Sequence, residues 1–360
     1  MKDKTKNIVV IVVFYGLLMS FFVINVFKKD SEISMSERRK LTQFKDVLSK
    51  DVFDGSFFEK FSSWTSDQFY KRDEFRGIKA KISLKIGNDY NNLYQYNDYL
   101  IEQTYPLNKN SVLNLTNKIN SIKELYLNDT NNIYYTIIPD KNYFINDNHL
   151  KMDYSSLERI MKDNLQGMNY IDLFNDLTIN DYYMTDTHWK EENLEGVAHK
   201  VCSNLKTNCD TTYQKKNITN FKGQYAYQLP LKTKEDVITI LTNETIEKSV
   251  VYNYQTMKEM NVYDLTKKSS LDKYDIYLGG SVPLITISNQ VSTNDRELVV
   301  FRDSYGSSLV PLLIAGYSKI TVVDTRYISP KILSNYITFT DKDILFMYSV
   351  ILINNSFSLK

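Results

Sequence analysis

Cysteine, histidine and tryptophan are all scarce in this 360-residue chain, which contains two, three and two of them respectively. Cys202 and Cys209 have no further cysteine or histidine at the spacing of zinc ligands, so we predict no structural metal, and we expect no cofactor. Because the two cysteines are seven residues apart, they can close a short loop in an oxidising compartment. Two free buried thiols fit the sequence equally well.

An excess of charge of one sign is also missing. Lys+Arg 44 against Asp+Glu 43 leaves a formal net charge of +1, and no stretch concentrates arginines with aromatic residues. A nucleic-acid surface requires such a concentration, so the sequence argues against a nucleic-acid partner. With 42% hydrophobic residues and no repeats, the chain is long enough to bury one large core, or one core with a smaller lobe.

The first strong positive signal is an apolar run near the N-terminus. Ile8 to Phe27 is twenty residues without a charge, which is the length of a transmembrane helix. Three lysines precede it in residues 1–7, which favours a cytoplasmic N-terminus and an extracytoplasmic body, although Lys28 and Lys29 weaken the asymmetry. A cleaved signal peptide is the alternative. The run is longer than a usual signal-peptide core and lacks a small-x-small cleavage site, so we predict an uncleaved anchor.

The composition changes from apolar to charged directly after the anchor. Residues 28–54 are expected to form a juxtamembrane linker, and residues 55–360 the extracytoplasmic domain. Within that domain, Phe57, Phe61 and Trp64 recur at helical spacing, which predicts an amphipathic helix whose aromatic stripe faces a core.

Short buried-strand patterns alternate with helical segments in the remainder of the chain. Runs at 133–139, 298–301, 320–324 and 343–353 are rich in β-branched and aromatic residues, as in strands buried on both faces. Such alternation predicts an α/β fold with a mostly parallel sheet covered by helices on both sides. The segment at about 209–287 lacks this rhythm, and we expect it to be a β-rich insertion.

A serine marks the end of one of these strands. Ser304 lies where the run at 298–301 turns into an apolar helical segment at 309–315. In open α/β sheets this carboxyl edge is where ligands bind, and a helix N-terminus there can stabilise an oxyanion. The alternative is that Asp303 or Ser304 only caps the helix, which is the common role of these residues before a helix.

A histidine motif supports the catalytic interpretation. In Thr185-Asp186-Thr187-His188-Trp189, residues i and i+2 of an extended or turn segment point the same way. Asp186 can then accept the Nδ1 proton of His188 and leave Nε2 free as a base. The alternative is a histidine that caps or packs near the helix expected at 190–205. We assign His149, in a polar loop, and His199, within that helix, to structural roles.

These motifs resemble a known protein family. Thr185 to Trp189, followed by Arg302-Asp303-Ser304-Tyr305-Gly306, is similar to the signature pair of the alginate O-acetyltransferase-like and DHHW-motif proteins, a permuted branch of the SGNH hydrolase superfamily. Weaker similarity spans residue 55 to the C-terminus, at Asp67-Gln68-Phe69, Ile138-Pro139-Asp140-Lys141, Tyr182-Tyr183, Tyr277-Leu278-Gly279-Gly280 and Asp324-Thr325-Arg326-Tyr327. Thr187 replaces one histidine of the DHHW label, but a triad needs only the aspartate and the second histidine.

The resemblance implies an SGNH-like α/β/α sandwich and an Asp186–His188–Ser304 triad that transfers acetyl groups to an exported cell-surface polysaccharide. Members of the family commonly work beside a multi-pass membrane-bound O-acyltransferase that supplies the acetyl group. Arg326 and Tyr183 are candidate contacts for donor or sugar. An Arg326–Asp324 ion pair is the structural alternative for the first of these.

Three function classes follow from the sequence. The first is an O-acetyltransferase that acts through an acyl-serine, which is the function that the resemblance favours. The second is an acetyl esterase with the same triad, since transfer and hydrolysis differ only in whether a sugar or water reaches the acyl-serine. The third is a non-catalytic polysaccharide-assembly protein, against which the triad argues.

Overall fold

A computed structural model describes residues 2–34, 36–37, 39–229 and 231–360. The chain divides into two compact units. The N-terminal unit comprises the chain up to Asn91 together with 226–232, and the main unit comprises 92–225 and 233–360.

The helices and strands alternate through most of the chain. The helices are α1 (Lys2–Phe27), α2 (Phe44–Leu48), α3 (Ser56–Asp67), α4 (Arg72–Lys85), α5 (Lys109–Tyr126), α6 (Tyr154–Asn164), α7 (Glu195–Asn204), α8 (Gln224–Gln228), α9 (Glu244–Lys248), α10 (Gly306–Leu313) and α11 (Val350–Ile353). The strands are β1 (Ile33–Ser34), β2 (Arg39–Lys40), β3 (Leu93–Tyr96), β4 (Tyr99–Glu102), β5 (Asn132–Ile138), β6 (Asn169–Asp172), β7 (Gln214–Phe221), β8 (Asp236–Thr242), β9 (Val250–Asn253), β10 (Lys258–Met260), β11 (Leu284–Ser288), β12 (Glu297–Arg302), β13 (Lys319–Val323) and β14 (Asp343–Ser349).

The main unit is built on an eight-stranded sheet in the order β10-β9-β11-β13-β12-β14-β5-β6. The five strands from β13 to β6 are parallel, and the three at the other edge are antiparallel. This arrangement confirms the prediction of an α/β fold with a mostly parallel sheet.

Strand β12 shows why the sheet is covered on both sides. Its side chains alternate between two apolar clusters: Leu298 and Val300 belong to one, and Val299 and Phe301 to the other. The first cluster contains apolar residues of α7 and α10, and the second those of α5 and α6. A strand that is buried on both faces has a continuous run of apolar residues, and the sequence shows such a run at 298–301.

Two predicted boundaries differ in the structure. The run at 343–353 is not a single strand, because β14 ends at Ser349 and α11 begins at Val350. The Ser349 hydroxyl accepts a hydrogen bond from the Leu352 amide at 3.2 Å and so caps the short helix. The helix expected at 190–205 begins at Glu195, after a short 3₁₀ turn at Glu191–Asn193.

The segment at 209–287 is rich in strands. Strands β7 and β8 form a separate antiparallel pair, whereas β9, β10 and β11 extend the main sheet at its antiparallel edge. A disulfide joins Cys202 at the end of α7 to Cys209, so the closed loop is the alternative that the structure contains.

The N-terminal unit contains α1 and the two helices that follow the linker. In α1, Asp3–Phe27 is long and apolar enough to cross a membrane, and its apolar side chains are largely exposed. In α3, the aromatic stripe is only partly covered: Phe57 and Trp64 are half-buried and Phe61 is 41% exposed. The prediction that this stripe lies in a core is therefore wrong for Phe61.

Candidate active site

The aspartate and histidine of the motif lie on one tight turn. Tyr182 and Trp189 form an isolated antiparallel bridge, and the Tyr183 amide donates to the His188 carbonyl at 3.0 Å. These contacts close the backbone between them. The turn thereby brings Asp186 and His188 close to each other.

Within this turn the two side chains form a short, well-aligned pair. His188 Nδ1 lies 2.6 Å from Asp186 Oδ1, and the His188 amide donates to the same oxygen at 3.1 Å. With its Nδ1 proton given to a carboxylate, the imidazole presents Nε2 as a base.

Ser304 lies next to His188 Nε2, at the carboxyl end of β12. Its Oγ lies 2.8 Å from His188 Nε2. The neighbouring Asp303 fixes the local backbone, because its carboxylate accepts from the Tyr305 amide at 3.1 Å and from the Ser349 amide at 2.8 Å. The second bond ties the turn after β12 to the end of β14, so the serine is held by two central strands.

The three groups differ in their access to solvent. Asp186 is 1% exposed and His188 is 7% exposed, whereas Ser304 is half-buried and reaches the surface. An Asp–His–Ser chain of this kind can deprotonate the hydroxyl, support the imidazolium that forms and stabilise a covalent acyl intermediate. The hydroxyl is the one member of the chain that an incoming substrate can reach readily.

Two backbone groups from the segment after β7 support Asp186. The Gln224 amide donates to Asp186 Oδ2 at 2.8 Å, which satisfies the second carboxylate oxygen. Gly223 lies so close that an added Cβ would stand 2.3 Å from Asp186 Cβ, so only glycine fits there. Burial acts to raise the pKa of Asp186, but the nearby His188 and these hydrogen bonds outweigh it, and the pKa lies below its ordinary range.

A second buried carboxylate holds the residues just before Asp186. Asp236, the first residue of β8, accepts from the Met184 amide and the Thr185 amide at 2.8 Å each, and from Thr185 Oγ1 at 2.6 Å. Thr185 Oγ1 in turn accepts from the Gly223 amide at 2.9 Å. The turn that carries Asp186 and His188 is therefore attached to the β7–β8 pair through a continuous hydrogen-bond network.

Aromatic side chains fix the plane of the imidazole. The ring of Tyr274 stacks on His188 with centroids 3.8 Å apart and planes 7° apart, and its hydroxyl bonds to Ser308 Oγ at 2.7 Å. Tyr305 donates its hydroxyl to the Thr187 carbonyl at 2.7 Å, and its own carbonyl accepts from Trp189 Nε1 at 3.0 Å. These contacts connect the serine turn to the histidine turn.

Lys141 is buried beneath the same turn. Its Nζ donates to the Leu100 carbonyl and, at 3.1 Å, to the Tyr183 carbonyl. Burial lowers the pKa of Lys141 to about 7, although Asp186 and Asp236 act in the opposite direction. The loop at 140–141, which follows β5, thus supports the turn that carries Asp186 and His188.

The two candidate substrate contacts lie in different settings. Arg326 forms a bidentate ion pair with Asp324, at 2.9 Å from Nε to Oδ1 and 2.6 Å from NH2 to Oδ2, and retains 21% side-chain exposure. Tyr183 is fully buried, and its hydroxyl lies 3.2 Å from that of Tyr277. The structure therefore leaves Arg326 accessible and encloses Tyr183 in the core.

The other two histidines lie apart from the serine. His149 pairs with Asp147 at 2.8 Å, and His199 pairs with Asp210. Among the described residues, no group of three or more His, Cys, Asp or Glu side chains could hold a metal ion.

Four residues that support the pair were missed by the sequence reasoning, namely Gly223, Gln224, Asp236 and Tyr274. Each is more than 30 residues from the motif in the chain. Gly223-Gln224 follows strand β7 and has the glycine that is typical of a turn. No pattern in the neighbouring sequence connects these two residues to Asp186.

Comparison with family models and with curated protein sequences gives no match. Among solved structures, a DHHW family protein from Eubacterium siraeum matches with a TM-score of 0.61 at 19% identity, over 74% of this chain and 92% of that chain. PatB1 from Bacillus cereus, in a structure with a sulfonyl adduct, matches with a TM-score of 0.59 at 16% identity, over 72% and 95% of the two chains. Likeness at such identity shows the fold, and the SGNH-like architecture expected from the motifs is confirmed.

Proposed function

We propose that this protein is an extracytoplasmic O-acetyltransferase that moves acetyl groups to hydroxyls of an exported polysaccharide through an acyl-serine intermediate. The observation that carries the proposal is the continuous chain from Asp186 Oδ1 to His188, 2.6 Å, and from His188 Nε2 to Ser304 Oγ, 2.8 Å. Hydrogen bonds of this length and order match the geometry of acyl-transfer catalysts.

In the proposed mechanism, His188 Nε2 takes the Ser304 proton as Oγ attacks the acetyl carbonyl of the donor. The tetrahedral intermediate collapses when the donor's leaving group departs with that proton, which leaves acetyl-Ser304 and a neutral imidazole. A sugar hydroxyl then gives its proton to His188 and attacks the acetyl-serine. Return of the proton to Oγ releases the acetylated sugar and restores the enzyme. Asp186 stabilises the imidazolium in both halves.

The oxyanion of each tetrahedral intermediate forms beside the start of α10. We assign the Ser304 amide as one donor, since it lies just before α10, where the positive end of the helix dipole favours a negative charge. The half-buried position of Ser304 allows a donor and then an acceptor to approach the hydroxyl in turn.

Two observations support an extracytoplasmic position. The apolar α1 is compatible with a single-pass anchor, and disulfides such as Cys202–Cys209 persist in oxidising compartments. The polysaccharide acceptor and a membrane-bound O-acyltransferase that supplies acetyl follow from the motif resemblance. Arg326 remains a candidate contact for donor or sugar because part of its side chain is accessible, whereas the burial of Tyr183 favours a packing role.

The nucleophile can be tested with an activated acetyl ester such as p-nitrophenyl acetate. Ser304→Ala should abolish turnover with little change in melting temperature, because its hydroxyl is partly solvated. Ser307→Ala, one turn further along and also a serine, is the matched control and should keep turnover. A sulfonyl fluoride should label the wild type and the control but leave Ser304→Ala unmodified. Undiminished turnover by Ser304→Ala would contradict the proposal.

Transfer and hydrolysis are separated by adding an acceptor. When soluble oligosaccharides are present with the ester, mass spectrometry should find acetylated sugar formed at the expense of free acetate. Acetate alone with every acceptor tested would favour the esterase alternative, for which the same triad suffices.

A further inference from the structure

Helix α4 exposes its large apolar side chains. Phe75, Ile78, Ile82 and Ile86, the last at the helix C-cap, are 46, 53, 57 and 67% exposed. Their spacings of three, four and four residues place all four on one side of an α-helix. They form a continuous strip, which we call the α4 strip.

The opposite side of α4 is buried and carries residues with small side chains or none. Gly77 and Ala80 are the buried residues of the helix. A surface helix of a water-soluble protein normally turns its large apolar residues inward and its polar residues outward. In helix α4 the large apolar residues face outward instead, so its outward face is suited to an apolar environment.

Basic side chains border the α4 strip. At about 100° per residue, Lys79 lies next to the strip on one side and Lys85 on the other. Both are exposed, as are Lys71 and Lys81. An apolar strip with a lysine on each side is the pattern of helices that lie in the interface of an anionic bilayer.

The strip is continuous with α1. The ring centroid of Phe75 lies 6.0 Å from that of Phe21 in α1 and 5.8 Å from that of Phe69, which itself stacks on Phe21 at 5.7 Å. Phe21 is six residues before the end of α1, a distance of about 9 Å along a helix. Interfacial helices are buried by about 5–10 Å, so the strip begins at the depth that such a helix occupies.

We infer that the α4 strip inserts into the interface of an anionic lipid bilayer, in the leaflet from which the C-terminal end of α1 emerges. The bilayer covers Phe75, Ile78, Ile82 and Ile86, and the bordering lysines bind lipid phosphates. Helix α4 then lies along the membrane surface, so that the N-terminal unit contacts the bilayer at a second place besides α1. This inference does not depend on the chemistry proposed for Ser304.

The test uses the full-length protein reconstituted into phosphatidylcholine vesicles with and without phosphatidylglycerol. Because Cys202 and Cys209 are bonded to each other, Ile82→Cys provides a single free thiol for an environment-sensitive fluorophore. We expect a blue-shifted emission that lipid-borne nitroxides quench, more strongly when phosphatidylglycerol is present. Lys81→Cys is the matched control, since it is the neighbouring residue but lies about 100° further round the helix, and its probe should remain in water.

A second variant tests the charges. Replacing Lys79 and Lys85 together with glutamine should lower the inserted-to-free ratio of the Ile82→Cys probe about fivefold per lysine in phosphatidylglycerol vesicles. Melting temperatures of the labelled proteins show whether each variant is folded. Equal quenching at positions 81 and 82, or none at position 82 in a folded protein, would overturn the inference and leave a protein partner as the cover of the strip. Quenching at position 82 that ignores phosphatidylglycerol would overturn the assignment to anionic lipid.

Discussion

The chain contains Asp-x-His twice, at 147–149 and 186–188, and both copies adopt nearly the same local arrangement. In each, the histidine amide and Nδ1 both contact the preceding aspartate, with Nδ1 distances of 2.8 Å and 2.6 Å. Each imidazole also stacks on a tyrosine, Tyr94 in the first copy and Tyr274 in the second, at 3.7 Å and 3.8 Å.

The two copies differ in their burial and in the polar groups that distant parts of the chain bring to them. The side chain of His149 is 34% exposed, against 9% for His188. Within the described residues, only His188 has a serine hydroxyl at its Nε2, and only its aspartate receives the Gln224 amide. The local motif thus specifies the orientation of the pair, whereas burial and a nucleophile make that orientation useful for catalysis.

The largest difference between the two copies should appear when each aspartate is changed to asparagine. Asp186→Asn should lower kcat for an acetyl ester by about 10⁴, because the imidazole loses its tautomer control and the charge that supports the imidazolium. Asp147→Asn should leave kcat unchanged. Purified proteins with matched melting temperatures provide the measurement, and normal turnover by Asp186→Asn would refute the triad.

A smaller effect should come from Gly223, which supports only the copy at 186–188. Gly223→Ala places a methyl group against Asp186, and such overpacking should cost about 1–3 kcal/mol of the free energy of unfolding. Because the methyl group meets the Cα and Cβ atoms of Asp186, whose carboxylate orients His188, kcat should fall while KM for the ester stays similar. Gly196→Ala is the control, since an added Cβ there meets nothing within 4 Å. Equal losses of kcat in both variants would show that Gly223 has no special role.

A still smaller effect of Asp186 is expected on the pH dependence of the free energy of unfolding. The folded-state pKa of Asp186 lies below its ordinary value because the charge and hydrogen bonds of His188 and the Gln224 amide outweigh the effect of burial. Asp186 therefore contributes stability above about pH 3.9 that is lost as the pH falls towards its folded-state pKa. Denaturant unfolding of wild type and Asp186→Asn, above and below that pH, should show a steeper acid loss in the wild type. Parallel curves would contradict the shift.

The smallest effect is expected at the exposed copy. His149→Ala removes a stacked, partly solvated imidazole, which should change the free energy of unfolding by about 1 kcal/mol or less. Turnover should not change. A loss of activity in this variant, at unchanged melting temperature, would show that the first copy contributes to function and that the comparison between the two is incomplete.

The sequence predicts the three residues of the proposed triad because each depends on local structure. Asp186 and His188 are two residues apart, and Ser304 directly follows a strand whose apolar run is visible in the sequence. The parallel arrangement of the sheet follows for the same reason, since strands alternate with helical segments. Local patterns of this kind survive folding because the neighbours that define them are fixed by the covalent chain.

The remaining support could not be predicted because it depends on contacts between distant segments. Asp236 has no pattern that distinguishes it from other acidic residues, yet it receives three hydrogen bonds from Met184 and Thr185. The prediction for Phe61 was wrong for a related reason. An apolar stripe on a helix predicts that the stripe lies in an apolar environment, but it does not show whether the rest of the protein provides that environment. The strand predicted at 343–353 was too long because a single hydroxyl, on Ser349, ends it.

The sheet order carries a consequence for how the chain folds. Strand β14, residues 343–349, is the last strand in sequence, but it lies between β12 and β5 in the middle of the sheet. Strands β5 and β6 cannot join the rest of the sheet until β14 is present, so a growing chain that lacks β14 holds two separate groups, of five and two strands, with open edges. Such edges are templates for aggregation. The main unit therefore completes its sheet only when β14 is present, and loss of residues 343–349 would leave two incomplete sheets rather than a shortened domain.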